Sequence, residues 1–297
     1  MNKKLAHKLK QKKKTDSLTT LDSFMTEAVH NTLTAQTKYF MLDGSAEGVH
    51  DLRIALRKLR AYLSFAALLY SVESQEYWKN ILQSWSVRTA EIRELDVLQD
   101  EWSKAGSLLN IDSLQDPLNG YLLKHRNNLL ALFSESLQTG KLTEDLQAFL
   151  FWILNEKTQV KEDSWQSYTD WRLKKWLKNL RQQLKNIDIM DNEAIHRLRI
   201  KCKKNRYILE WYSRTRKDQK AARIATVLKQ LQDYLGDIHD LEPEVELLNK
   251  LGGNAQESEL LKEIALLSGW QAKRAYDAFQ AFSAQGKDSY CTLVLEK

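Results

Sequence analysis

Two segments of the sequence carry the same run of basic side chains. Each begins with a histidine, has an arginine three residues later, and continues with arginines or lysines one and two helical turns further on. The positions are His50, Arg53, Arg57, Lys58 and Arg60 in the first segment, and His196, Arg199, Lys203, Lys204 and Arg206 in the second. Guanidinium groups make bidentate hydrogen bonds to phosphate oxygens, lysine adds a mobile charge, and histidine gains a donor when it protonates. These side chains therefore predict a site for a phosphate-rich anion.

The spacing places the basic side chains of each segment on one face of a helix. Each residue of an α-helix advances by about 100°, so the histidine and the three arginines of the first segment span only about 80°. Leucines group about 110° away, on a face that should enter a hydrophobic core. They are Leu52, Leu56, Leu59 and Leu63. Each helix is thus expected to have a cationic flank and an apolar flank.

Charge repulsion makes this pattern unfavourable for stability alone. The segments His50–Arg60 and His196–Arg206 together contain ten lysines and arginines and one acid, Asp51. Like charges three or four residues apart on a helix repel by a few tenths of a kcal/mol per pair. A bound polyanion would relieve that repulsion.

The basic segments belong to an internal repeat. A shift of 146 residues superposes His50–Arg60 on His196–Arg206, and without a gap it superposes Ala90–Leu95 on Gly236–Leu241. The later element pairs a basic residue with an acid, as Arg93-Glu94 and as His239-Asp240. We expect the acid to orient an arginine of the neighbouring basic helix through an ion pair.

The elements that carry these motifs are predicted to be helices. The chain contains only 10 glycines and 2 prolines in 297 residues, and no segment alternates with a strand period. Predicted helices cover 17–42, 46–70, 75–105, 114–137, 143–158, 163–187, 191–214, 217–241 and 256–283. Each half would hold about four long helices, which suits an up-and-down bundle.

The net charge of +6 comes from the N-terminus. The first fourteen residues contain seven lysines and no acid, which leaves 38 basic against 39 acidic residues in the remainder. We interpret residues 1–16 as a disordered, solubilising tail. The overall charge is therefore no argument for nucleic-acid binding.

Other features indicate the cellular setting. Two cysteines, Cys202 and Cys291, are too few for a disulfide framework, and no apolar stretch is long enough to cross a membrane. We expect a soluble, cytoplasmic protein.

The sequence has no Ser-His-Asp elbow, phosphate-binding glycine loop or cysteine-rich metal site, so we predict neither catalysis nor a cofactor. His125, beside Lys124 and Arg126, is expected to extend the basic surface.

Two other functions are compatible with parts of the pattern. Glu47 and His50, like Glu193 and His196, have the Glu-x-x-His spacing of di-iron carboxylate bundles, although the neighbouring arginines would oppose a dication. Nucleic-acid binding is the closer competitor. Most of the nine tryptophans, however, lie at helical spacing among apolar neighbours and are interpreted as core residues.

The motifs resemble the hallmarks of the CHAD family, the conserved histidine α-helical domain. The family's basic helix is similar to Val49–Arg60 and Ile195–Tyr207, and its later Arg-Asp element is similar to Ala90–Asp96 and Leu235–Leu241. The later element departs from the family pattern. Ala90 stands for glycine, Glu94 for aspartate and His239 for arginine, and Pro243 interrupts the second copy.

The resemblance implies an all-α domain over residues 17–297, formed by two four-helix bundles related by an internal pseudo-two-fold axis. The halves would be about 17–158 and 159–297. Their basic faces would line a shared groove that binds inorganic polyphosphate, with association to polyphosphate granules in the cell. The implied contacts are His50, Arg53, Arg57, Lys58, Arg60, Arg93, His196, Arg199, Lys203, Lys204 and Arg206.

Overall fold

A computed structural model describes most of the chain. Its backbone covers residues 3–109, 116–156, 165–188, 191–239, 246–250 and 258–285, and its side chains cover 21–108, 116–156, 165–188, 191–236, 246–250 and 258–281. Within these ranges the regular elements are helices and no strand occurs. The predicted all-α fold is confirmed.

The helices follow one another through short connections. Their bounds are α1 Lys3–Met41, α2 Ala46–Ala66, α3 Val72–Arg88, α4 Ala90–Leu109, α5 Pro117–Gln138, α6 Lys141–Asn155, α7 Trp165–Asn186, α8 Asn192–Arg216, α9 Gln219–His239, α10 with residues 246–250 described, and α11 Ser258–Gln285. A short 3-10 turn, Ala67–Leu69, ends α2. The sequence repeat is visible in the helix bounds, because α8 begins 146 residues after α2.

Side-chain caps start the two motif helices at equivalent places. The Ser45 hydroxyl accepts a hydrogen bond from the Gly48 amide at 3.2 Å, and the Asp191 carboxylate accepts one from the Ala194 amide at 2.9 Å. Such caps satisfy amides that have no partner within the helix. Each cap lies five residues before the motif histidine, so the helical phase of both basic faces is set locally.

Two sequence predictions differ from the structure. The single helix predicted over 75–105 is two helices, α3 and α4, which separate at Thr89. The Thr89 hydroxyl donates to the Ser86 carbonyl at 2.9 Å, and this local hydrogen bond competes with continuation of the helix. Residues 3–16, predicted to be disordered, lie within α1; lysine, leucine and glutamine favour helix, and the segment has no glycine or proline.

The chain forms two compact units that are not the predicted sequential halves. Unit 1 contains Met1–Thr89 and Phe133–Trp176, and unit 2 contains Ala90–Leu132 and Leu177–Lys297. The first repeat's helix α4 therefore clusters with the second repeat's helices. The cause is a core in which α4 and α5 pack with α10 and α11, with Trp102, Leu122, Leu248 and Leu267 at most 3% exposed.

The predicted core face of α2 is confirmed. Leu52, Leu56 and Leu59 are fully buried and Leu63 is 3% exposed in unit 1, where α2 packs against α1 and α3. Burying these leucines turns the cationic flank of α2 away from the core centre.

Candidate anion-binding faces

The cationic side chains of α2 form one candidate face in unit 1. The members of this α2 face are His50, Arg53, Arg57, Lys58 and Arg60, and all five are half-buried. Half-burial restricts the motion of these side chains. All five lie on α2 within unit 1.

Two of these arginines donate hydrogen bonds to uncharged oxygens of α3 and of Thr89, the residue that follows α3. Arg53 Nη1 donates to the Ser86 carbonyl oxygen at 3.0 Å and to the Thr89 hydroxyl at 3.4 Å. Arg60 Nη2 donates to the Gln83 side-chain oxygen at 3.3 Å. A neutral acceptor orients a guanidinium group without cancelling its charge. Each of these hydrogen bonds fixes one guanidinium nitrogen against an uncharged oxygen.

The acids of α2 are engaged by a cation outside the face. Lys38 of α1 places its Nζ 2.6 Å from a carboxylate oxygen of Asp51 and 2.6 Å from one of Glu47. These hydrogen bonds, with that to Asp51 the larger cause, raise the pKa of Lys38. Lys38 thus forms ion pairs with both acids near the start of α2.

Arg57 and Arg60 repel one another. Burial first, and then the charge of Arg57, lower the pKa of Arg60. The Arg60 Nε is buried, and among the described residues it has no hydrogen-bond partner. Two crowded guanidinium groups with unused donor capacity are a suitable environment for a phosphate anion.

The equivalent face in unit 2 lies on α8. The members of this α8 face are His196, which is exposed, and Arg199, Lys203, Lys204 and Arg206, which are half-buried. The acids at the start of α8 are again engaged outside the face, because Arg197 Nη1 lies 2.7 Å from Glu193 and its Nη2 lies 3.7 Å from Asp191.

A glycine of α9 makes room for Arg199. A Cβ atom built on Gly236 would lie 3.1 Å from Arg199 Nη2 and 3.3 Å from its Cζ, closer than ordinary van der Waals contact. The guanidinium group therefore lies directly over the helix backbone. Gly236 begins the second copy of the later motif, so the structure supplies a steric reason for a glycine there.

Arg206 is held by an acid and an aromatic ring. Its Nε lies 3.5 Å from a Glu210 oxygen, and its Cζ lies 5.0 Å from the Tyr207 ring centroid. The side chain of Arg206 is 15% exposed, so this cation is largely buried.

The later motif is described only in its first copy. Arg93 is half-buried and Glu94 is exposed on α4 in unit 2. In the second copy, the side chains of Asp237 to His239 and all of Asp240 lie outside the described residues. The prediction that the acid of this motif orients an arginine remains a prediction.

Arg126 does not extend the basic surface. It is buried, and its Nε lies 2.5 Å from an Asp96 carboxylate oxygen, itself on a buried side chain. Arg126 is therefore not part of the surface that His125, which is half-buried, was expected to extend, because it pairs with Asp96, a buried acid 30 residues away in the sequence. Asp96 ends the first copy of the later motif, so that position has a structural role here that sequence reasoning missed.

The tryptophans are core residues with one clear exception. Trp78, Trp85, Trp102, Trp165 and Trp211 are buried, Trp152, Trp176 and Trp270 are half-buried, and Trp171 is 42% exposed. Trp171, on the outer side of α7, is the exception to an interpretation that covered most of the tryptophans.

The two Glu-x-x-His pairs were considered as possible metal ligands. Their glutamates are Glu47, which forms an ion pair with Lys38, and Glu193, which forms one with Arg197. In the described ranges, no group of three or more His, Cys, Asp or Glu residues is placed to hold a metal ion. Nor does any helix there combine the length and the apolar character needed to span a membrane.

Together these features define an all-α helical protein that displays cations on two repeated helices. The chain belongs to the CHAD domain family, whose model matches residues 24–249. A crystal structure of the CHAD domain from the plant Ricinus communis is similar, with 18% identity and a TM-score of 0.72 over 94% of this chain and 91% of that one. PptA from Streptomyces chartreusis matches with 11% identity and a TM-score of 0.64, over 90% of this chain and 98% of that one. A search of curated proteins found no match.

Proposed function

We propose that this protein binds inorganic polyphosphate through the α2 face and the α8 face, without catalysing a reaction. The observation that carries the proposal is how charge is distributed on α2. Arg60 lies beside the like charge of Arg57 and donates to the neutral Gln83, whereas Glu47 and Asp51 pair with Lys38. The family to which the chain belongs is linked in general to polyphosphate and triphosphate binding, which agrees with the proposal.

The proposed mechanism is multivalent electrostatic capture. Side chains three or four residues apart on a helix are about 5–6 Å apart at their Cβ atoms, so each face offers a row of cations to successive phosphates. The arginines supply directed hydrogen bonds, and Lys58, Lys203 and Lys204 supply mobile charges. Binding releases counterions, so the affinity should fall steeply as the salt concentration rises.

The test is a titration with long-chain polyphosphate at about 150 mM salt, with DNA, RNA and short phosphates as competitors. Arg57→Gln with Arg60→Gln removes two cations from the α2 face and should weaken binding on the order of 10-fold, by analogy with the loss of two phosphate contacts on a single strand. Circular dichroism checks that the helices are intact.

Lys79→Gln with Lys104→Gln is the matched control. Both lysines are exposed on helices and form i,i+3 or i,i+4 pairs with Glu76 and Asp100. The control should bind polyphosphate nearly as tightly as the native protein. An equal loss in both variants would show that only net charge matters. Full displacement by nucleic acid at matched charge would also refute a polyphosphate-specific site.

We further propose that the protein is cytoplasmic and associates with polyphosphate granules through the same faces. A fluorescent fusion should overlap with stained granules, and the Arg57→Gln, Arg60→Gln variant should be diffuse. Overlap that persists in the variant would refute a role for the α2 face in granule association.

A further inference from the structure

Helix α7 carries a further cationic surface that contains none of the motif residues. Its members, which we call the α7 face, are Trp171, Lys174, Lys175, Lys178, Arg181 and Lys185, and all six are exposed. They lie along one uninterrupted helix, within a sector about 120° wide. Buried Leu173, Leu180 and Leu184 lie on the opposite side of α7. The α7 face therefore points away from the core.

The charge of the α7 face is not compensated within the described structure. No acid occurs from Trp171 to Lys185, and among the described residues no acid pairs with any of the five cations. Lys174, Lys178, Arg181 and Lys185 follow one another at three- and four-residue steps, so each neighbouring pair repels.

The repeat shows that the fold does not require this charge. The equivalent part of α1, from Met25 to Tyr39, contains one lysine or arginine, Lys38, and one acid, Glu27. Met25, which corresponds to Trp171, is fully buried. The second repeat alone combines five cations with an exposed aromatic ring on this helix.

Trp171 indicates the type of anion. Trp171 as a whole is 42% exposed, Lys175 Nζ lies over its ring at 5.3 Å from the centroid, and the ring of Tyr168 is tilted against it with the centroids 6.1 Å apart. A flat exposed ring beside a cation suits a ligand that has both a planar base and a phosphate. Polyphosphate has no ring to stack. A membrane-binding face would need a broad apolar area, and the other exposed residues of α7 are polar.

We propose that the α7 face binds single-stranded nucleic acid, with a base stacked on Trp171 and successive phosphates on Lys174, Lys178, Arg181 and Lys185. Stacking on one platform and contacts with the phosphate chain are the two interactions by which proteins bind unpaired strands without reading their sequence. This activity is independent of polyphosphate binding by the α2 and α8 faces.

The probe is a fluorescein-labelled oligothymidylate, titrated over a range of salt concentrations. A variant with Lys174→Gln, Lys178→Gln, Arg181→Gln and Lys185→Gln should lower the salt slope by about 3 and weaken binding on the order of 100-fold at about 150 mM salt. Trp171→Ala should weaken binding about 5- to 150-fold with a nearly unchanged slope, because it removes stacking and no charge.

The matched control removes the same charge elsewhere. Lys79, Lys104, Lys262 and Lys273 are exposed and each pairs with a carboxylate three or four residues away, so the four glutamine substitutions remove four surface cations. This control should bind the oligonucleotide within a few fold of the native protein. Parallel polyphosphate titrations should show little change for either α7 variant, which keeps failure of this proposal distinct from failure of the polyphosphate proposal.

Three results would overturn the proposal. The first is unchanged oligonucleotide affinity in the four-cation α7 variant, or an equal loss in the control. The second is a Trp171→Ala variant with native affinity, which would indicate electrostatic binding without a stacked base. The third is Trp171-dependent binding to anionic phospholipid vesicles with no binding to the oligonucleotide, which would identify a membrane surface as the partner.

Discussion

Replacing Gly236 with alanine tests whether the Arg199 guanidinium must lie against the α9 backbone. The new Cβ would be 3.1 Å from Arg199 Nη2 and 3.3 Å from Nε and Cζ. Favourable contacts begin at about 3.5 Å, so the guanidinium group must move by roughly 0.3–0.5 Å or leave the α9 surface. One directed, charge-assisted contact with phosphate would then weaken. The expected loss of polyphosphate affinity is about 3- to 10-fold, which corresponds to roughly 0.7–1.4 kcal/mol.

Gly269→Ala provides the matched control. Gly269 lies in α11, and a Cβ built there would meet nothing within 4 Å. Both substitutions gain helix propensity of about 1 kcal/mol, but only Gly236→Ala incurs crowding. Urea unfolding should therefore show a larger stability gain for Gly269→Ala than for Gly236→Ala, and polyphosphate affinity should be unchanged in Gly269→Ala.

A double-mutant cycle isolates the contact. In an Arg199→Ala background, Gly236→Ala has no guanidinium group to displace and should leave polyphosphate affinity unchanged. Native affinity for Gly236→Ala, or equal losses with and without Arg199, would refute the positioning role of Gly236.

Three further predictions concern stability and reactivity. Asp96→Asn or Arg126→Ala should lower the free energy of unfolding by about 3–5 kcal/mol, because each leaves one member of a buried ion pair without its partner charge. A loss below about 1 kcal/mol in urea unfolding would contradict this prediction. Burial raises the pKa of Cys202 to about 12, so in a Cys291→Ser protein a thiol reagent at neutral pH should label Cys202 only at the rate of unfolding. Rapid labelling of the folded protein would be inconsistent with that burial. Burial also raises the pKa of Glu263 above its ordinary 4.5, so the contribution of Glu263 to stability is fully present below pH 4.5 and declines as pH rises through the folded-state pKa. Glu263→Gln should reduce this decline, and an unaltered pH profile of stability would argue against a raised pKa for Glu263.

Local features of the sequence were reliable because they depend on residues within one or two helical turns. Helical period and capping account for the absence of strands in the described ranges, for the starts of α2 and α8 after Ser45 and Asp191, and for the buried leucines of α2. The break at Thr89 was missed, since a single hydroxyl-to-carbonyl hydrogen bond leaves no trace in the hydrophobic pattern.

The composition of the two units could not be predicted from the repeat. A constant shift of 146 residues suggests that each repeat folds on its own, yet α4 and part of α5 cluster with the second repeat's helices. Which helices pack together depends on complementary apolar surfaces such as those of Trp102 and Leu248, and their contact across the chain is not encoded at any local spacing. The pseudo-two-fold axis and the shared groove remain predictions.

For the candidate site, the sequence by itself determined which side chains are cationic and which of them share a helix face, because both follow from residue type and a period of 3.6. Only the tertiary structure decided how those charges are held. In the folded chain Arg53 donates to Ser86 and Thr89, which are 33 and 36 residues away in the sequence, and Arg199 lies against Gly236. Arg126 forms a buried ion pair with Asp96, and Trp171 is exposed. These outcomes depend on the packing of helices that are distant in the chain, and that packing sets the environment of each charge.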